Sequence, residues 1–216
     1  MNQNAIPDAL LLLASGCPHC PAVLESLSGL LKEGVIGRLE AVNVTIHPER
    51  AAELGVRTVP WARIGPFELE GVQTPAELRR WAEQADSLDG MVDYFFRMLT
   101  SDRRARVEEM ARQAPSRLRA LVRLMERPDA GMAVRLGIGA VLEELQGSGL
   151  AETMIPDLGA LAKNGDALTR ADACHFLSLI GGPQAASWLR ACLDDEDRGV
   201  REIAAEALEE LSGTPD

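Results

Sequence analysis

The sequence predicts a two-domain α+β chain, with a small α/β domain over residues 1–86 and an all-α repeat domain over residues 87–216. Three observations predict it. Short strand-like runs bounded by Gly and Pro are confined to the first 86 residues. Beyond Asp86-Ser87 those runs vanish, and Ala, Leu, Arg and Glu recur at helical spacing. The helical half also repeats itself, which marks a stacked array.

The first element is Ala9-Leu10-Leu11-Leu12-Leu13-Ala14-Ser15, a short apolar run stopped by Gly16, which reads as a buried strand. Val23, Leu24, Leu27, Leu30 and Leu31 then recur at helical spacing until Gly34 and Gly37. This places Cys17 at the N-cap and Pro18 at the first helical position. A strand at 39–44, a short helix at 48–54, Thr58-Val59-Pro60, strands at 61–64 and 67–70, and a helix at 74–85 complete the domain.

The motif that carries chemistry is Cys17-Pro18-His19-Cys20. Two thiols at this spacing close a reversible disulfide. At a helix N-terminus, outward N–H groups and the helix dipole favour an anion, the setting that lowers a thiol pKa from about 8.5 towards about 3.5–7.5. Cys17 is then the exposed attacking sulfur. Cys20, one turn in and facing the apolar stripe, resolves the mixed disulfide. His19 adds a positive or hydrogen-bonding neighbour that stabilises the thiolate. No cofactor is expected beyond this redox-active Cys17–Cys20 pair. The same spacing is also half of a structural zinc site, which needs two more ligands. No second Cys-x-x-Cys or His-x-x-x-His occurs, and Cys174, His175 and Cys192 lie far along the chain in apolar helical settings.

The order strand, Cys-Pro-His-Cys, helix, strand, helix, Thr58-Val59-Pro60, two strands, helix resembles a minimal thioredoxin or glutaredoxin domain over about the first 86 residues. The resemblance implies a cis proline at Pro60 beside the cysteines, with Val59 offering its backbone to an extended substrate and Thr58 completing the segment. A cis X-Pro bond is rare enough to mark a purposeful feature. It also implies that the Pro18-His19 dipeptide is of the kind carried by strongly oxidising periplasmic members, where thioredoxins proper carry Gly-Pro. The paired glycine and acidic residues of glutathione-binding members are replaced by Gly71-Val72-Gln73-Thr74, which argues against glutathione binding. No acid sits in the first strand, and Glu25 and Glu40 read as solvated. Trp61, directly after Pro60, is a candidate substrate contact or a packing ring.

In the helical half, Val141-Leu142-Glu143-Glu144-Leu145 lines up with Ala207-Leu208-Glu209-Glu210-Leu211, which sets Arg135 on Arg201. Arg170-Ala171-Asp172-Ala173 falls on Arg201-Glu202-Ile203-Ala204. Gly199-Val200-Arg201-Glu202-Ile203-Ala204-Ala205-Glu206-Ala207-Leu208 after the acidic turn Asp194–Asp197 resembles a HEAT-like repeat. That resemblance implies about four stacked helix pairs, the earlier two near 88–112 and 115–146, and a curved surface that binds a protein substrate or redox partner.

Net charge is −11. Residues 1–86 carry 7 basic and 11 acidic side chains and residues 87–216 carry 15 and 22, a poor balance for nucleic-acid binding. The arginines at 97, 103, 104, 106, 112, 117, 119, 123 and 127 form either a basic patch or a set of local ion pairs. No apolar stretch is long enough to span a membrane. Without a basic n-region or a cleavage motif at the N-terminus, a cytoplasmic location is expected, or a periplasmic one if a leader has been removed. Cys174 and Cys192 read as fillers between stacked helices. His47 reads as a turn residue, and Trp81, Trp188, Tyr94, Phe95 and Phe96 as packing residues. The expected activity is thiol–disulfide exchange on protein substrates, with the helical array choosing the partner. A redox-sensing scaffold and a metal-binding protein are the other two readings.

Overall fold

The structure is a computed structural model in which residues 6–213 are described. It divides between Met91 and Val92 into two compact units. The division falls within a helix, a few residues past the change of composition at Asp86.

The first unit runs β1 (Asp8–Leu13), α1 (Cys20–Lys32), β2 (Arg38–Asn43), α2 (Pro48–Glu53), β3 (Trp61–Ile64), β4 (Phe67–Glu70) and α3 (Pro75–Glu83). The four strands form one mixed sheet in the order β2-β1-β3-β4. β1 is parallel to β2 and antiparallel to β3, and β3 and β4 form a hairpin. The hairpin turns at Gly65, where φ is +53°, a left-handed conformation that suits a residue without Cβ.

Alternation along the strands sends successive side chains to opposite faces. Leu10, Leu12 and Trp61 form a core with Ala51 of α2 and Leu54 just after it. Leu11, Ala62, Ile64 and Phe67 face the other way, where the Phe67 ring lies 4.9 Å from that of Trp81 in α3 and α1 packs against α3. The sheet is therefore covered on both faces, which is why β1 reads as an unbroken apolar run.

α1 departs from expectation at its start. Its regular hydrogen bonding begins at Cys20, with His19 at the N-cap, two residues later than the apolar spacing predicts. Pro18 disfavours helical backbone at Cys17, and Pro21, with no N–H to give, is tolerated only in the first turn.

α4 (Leu88–Thr100) spans the division, and the second unit continues with α5 (Arg104–Gln113), α6 (Arg119–Met125), α7 (Met132–Glu144), α8 (Ile155–Asn164), α9 (Ala167–Ile180), α10 (Gly182–Cys192) and α11 (Arg198–Gly213). Short 3-10 turns at Pro115–Leu118 and Leu150–Met154 lead into α6 and α8. α7, α9 and α11 pack on one another in a row, and α6, α8 and α10 in a second row. The rows meet through buried positions that repeat: Val134, Ile138 and Leu142 in α7, Ala173 and Leu177 in α9, Val200 and Ala204 in α11. Gly159 of α8 lies directly under the Trp188 ring of α10, leaving no room for a Cβ.

Candidate functional site

Cys17 and Cys20 form a disulfide with their Cα atoms 5.5 Å apart. The two ends of that bond differ. Cys17 is half-buried in the loop before α1, flanked by exposed Pro18 and His19, whereas Cys20 is 3% exposed under the first turn. The Cys20 backbone N–H donates to Cys17 Sγ at 3.2 Å. That contact turns the N–H of the first residue of α1 onto the Cys17 sulfur from the loop ahead of the His19 N-cap.

Elements on either side hold the loop. Gly16 takes φ +80°, and Cys17 N–H donates to the Ala14 carbonyl at 3.2 Å. Asn43, at the end of β2, donates from Nδ2 to Ser15 Oγ at 2.9 Å and accepts from Thr45 N–H at 3.0 Å. Ser15 N–H in turn donates to Thr45 Oγ1 at 3.1 Å. Sequence reading missed these three residues. Asn and Thr near a strand end signal only a turn, and their partner lies 28 to 30 residues away in sequence.

Val59 and Pro60 lie beyond the same end of the sheet as the disulfide. Leu12 of β1 pairs with Trp61 of β3, so the chain entering β3 and the chain leaving β1 share an edge. The Val59–Pro60 peptide bond is cis, as the thioredoxin resemblance implies. Thr58 is exposed, Val59 half-buried and Pro60 buried, with the Pro60 carbonyl accepting from Gly71 N–H at 2.9 Å. Trp61 is corrected as a substrate contact: it is 2% exposed and packs on Leu10 and Leu12, because strand alternation turns it into the α2-side core. Among the described residues, no group of three or more His, Cys, Asp and Glu side chains is placed to hold a metal ion.

In the helical unit the repeated arginines have one geometry. Arg135, Arg170 and Arg201 each donate to the carbonyl five residues back, those of Ala130, Gly165 and Glu196. Arg135 also pairs with Asp172 on α9, and Arg170 with Asp195 in the turn before α11, at 2.8 Å. The Arg170 hydrogen bond holds the Asp195 carboxyl below the usual carboxylate range, and the Thr169 backbone N–H does the same for Asp166 at the N-cap of α9. This structural register is the one the sequence alignment gave. Residues 118–209 match the family model for HEAT repeats. No curated protein matches the chain. The chain thus joins a small mixed sheet carrying a disulfide to a helical region with HEAT repeats.

The other candidates resolve locally. Arg104, Arg106, Arg112, Arg119, Arg123 and Arg127 pair with Glu108, Glu109, Glu144, Asp157, Glu126 and Asp93, so these arginines form no free basic patch. Cys174 and Cys192 are buried, free thiols on α9 and α10. A hydrogen bond with Cys192, together with burial, pushes the Cys174 thiol up, so it stays protonated at neutral pH. Among the described residues, no helix is long and apolar enough to cross a membrane.

Proposed function

We propose that this chain is a thiol–disulfide oxidoreductase that acts on protein dithiols or disulfides through Cys17 and Cys20 and holds its partner with the helical repeats. The observation that carries the reading is the asymmetry of the disulfide, with Cys17 half-buried in the loop between exposed neighbours and Cys20 buried beneath it. A substrate thiolate attacks Cys17 Sγ, the Cys17–Cys20 bond breaks, and its electron pair leaves with Cys20 as a thiolate. A second substrate thiolate then attacks the substrate sulfur of the mixed disulfide and releases Cys17. Two substrate thiols become one disulfide, two electrons pass to the cysteine pair, and the sequence run backwards reduces a substrate disulfide. The Cys20 N–H that now reaches Cys17 Sγ supports the thiolate form of Cys17, which favours its release. His19, exposed beside it, is assigned the tuning role, and Val59 and Pro60 at the same sheet edge are assigned the substrate backbone contact.

The test is turnover of insulin disulfides with dithiothreitol as reductant. Wild type should turn over, Cys17→Ser should abolish turnover, and reduced Cys20→Ser, freed of dithiothreitol before insulin is added, should accumulate a mixed disulfide at Cys17 as the other half of the insulin disulfide leaves as a thiol. Absence of a Cys17-dependent rate would overturn the reading.

The HEAT-repeat match favours a second reading, a scaffold that binds a partner and whose cysteine pair regulates it. Partner affinity that changes with the Cys17–Cys20 redox state, without multiple turnovers, would select it.

A further inference from the structure

The register set by Arg135, Arg170 and Arg201 gives equivalent positions on α7, α9 and α11, and one set of them faces away from the buried rows. At positions three before and one, five and eight after each arginine, side chains fall within about a quarter turn of one another at 100° per residue. On α7 this face is apolar over its first half, where Met132 is 69% and Leu136 66% exposed, and continues through Ala140 to exposed Glu143. On α9 it holds Ala167, Ala171, His175 and Ser178, bordered by Leu168 at 57% exposure. On α11 it holds Arg198, Glu202, Glu206 and Glu209, all exposed, with Arg198 paired to Glu202 at 2.7 Å. A single exposed leucine needs no explanation, but three large exposed apolar side chains on the adjoining helices α7 and α9 are of the kind that marks an interaction site.

We infer that this face of α7, α9 and α11 is a docking surface for an amphipathic segment of a partner protein, apolar where it meets α7 and basic where it meets α11. The inference rests on the partner-holding role given above to the helical repeats. Charge decides the occupant. The α11 side is acidic within a chain of net charge −11, so a second copy or an anionic lipid surface would meet like charge, whereas lysines and arginines meet opposite charge. The two zones act differently: burying Met132, Leu136 and Leu168 supplies affinity, and the acids steer the encounter and fix its polarity.

The test uses the full chain and a fluorescein-labelled synthetic helix of about five turns, with leucines on one side and lysines on the other, read by anisotropy. Saturable binding is expected. Met132→Asp with Leu136→Asp should weaken it about tenfold or more. Glu202→Lys with Glu206→Lys and Glu209→Lys should weaken it comparably and flatten its salt dependence. Unchanged affinity in either folded variant overturns the proposal, as does equal binding of a leucine–glutamate helix. A dimer in sedimentation, or binding to phosphatidylglycerol vesicles, that Leu136→Asp abolishes would overturn it in favour of those occupants. Where the aspartates impair folding, Leu136→Ser makes the same comparison. Cys17-dependent insulin turnover of the unsubstituted chain tests the redox reading and helix binding tests this one, so the two fail separately.

Discussion

Cys17 and Cys20 are three residues apart and have different access to solvent. On reduction, iodoacetamide should modify Cys17 well before Cys20, which is 3% exposed. Cys174 and Cys192 should react only after denaturation, because both thiols are buried and closed to the reagent. Peptide mass spectrometry after timed quenching reads the order, and labelling of Cys20 first would contradict it. The loop network sets the same access from the other side. Asn43 ties Ser15 and Thr45 together at the sheet edge, so its loss would release the segment that presents Cys17.

Individual elements rest on contacts of very different legibility. The strands could be read because each is short and β2, β3 and β4 end at or just before Gly or Asn; β1 is unbroken because both faces are covered, though it stops at Leu13, two residues before the Ser15 that Gly16 suggested. The start of α1 could not be read from the cysteines, since two prolines within four residues of Cys17 shift its regular bonding to Cys20. α3 opens with Thr74 accepting from Glu77 N–H while Glu77 reaches back to Thr74 N–H at 2.8 Å. Thr74→Ala should cost about 1 kcal/mol in denaturant unfolding. The seating of Gly159 beneath Trp188 was invisible in the sequence, because Gly within a helix reads as a weak spot and not as a contact. Gly159→Ala improves local propensity yet should destabilise the fold by about 1–3 kcal/mol, and a stabilised variant would show that α8 and α10 can part without cost. Pairing of Arg112 with Glu144 and of Arg119 with Asp157 was equally hidden, as each joins residues more than 30 apart in the chain.

Across the whole molecule, the helical repeats share one electrostatic device, and its pH response has a defined sign. Asp195 is held below its ordinary value by Arg170, so the folded state binds the proton less readily than the unfolded chain. Its contribution to stability is complete above the ordinary carboxylate pKa of about 4 and is lost as the pH falls through the lower folded value. Asp195→Asn should therefore lower stability at neutral pH and leave a smaller further loss on acidification, as thermal melts across the acid range would show. The repeat was legible because its arginines, turn acids and apolar stripe recur in register. The arginine partners were not, since Asp172 and Asp195 belong to the next unit along.

That offset gives the array a direction. Each of Arg135 and Arg170 fastens its own repeat to an acid of the following one, while Arg201 reaches back to the carbonyls of Asp195 and Glu196. α11 thus packs on α9 and α10 and takes its charged clasp from Arg170 of α9. Amide hydrogen exchange should run fastest in α11 and slow towards α9, and Arg170→Met should release α11 from protection while leaving α7 as slow as before.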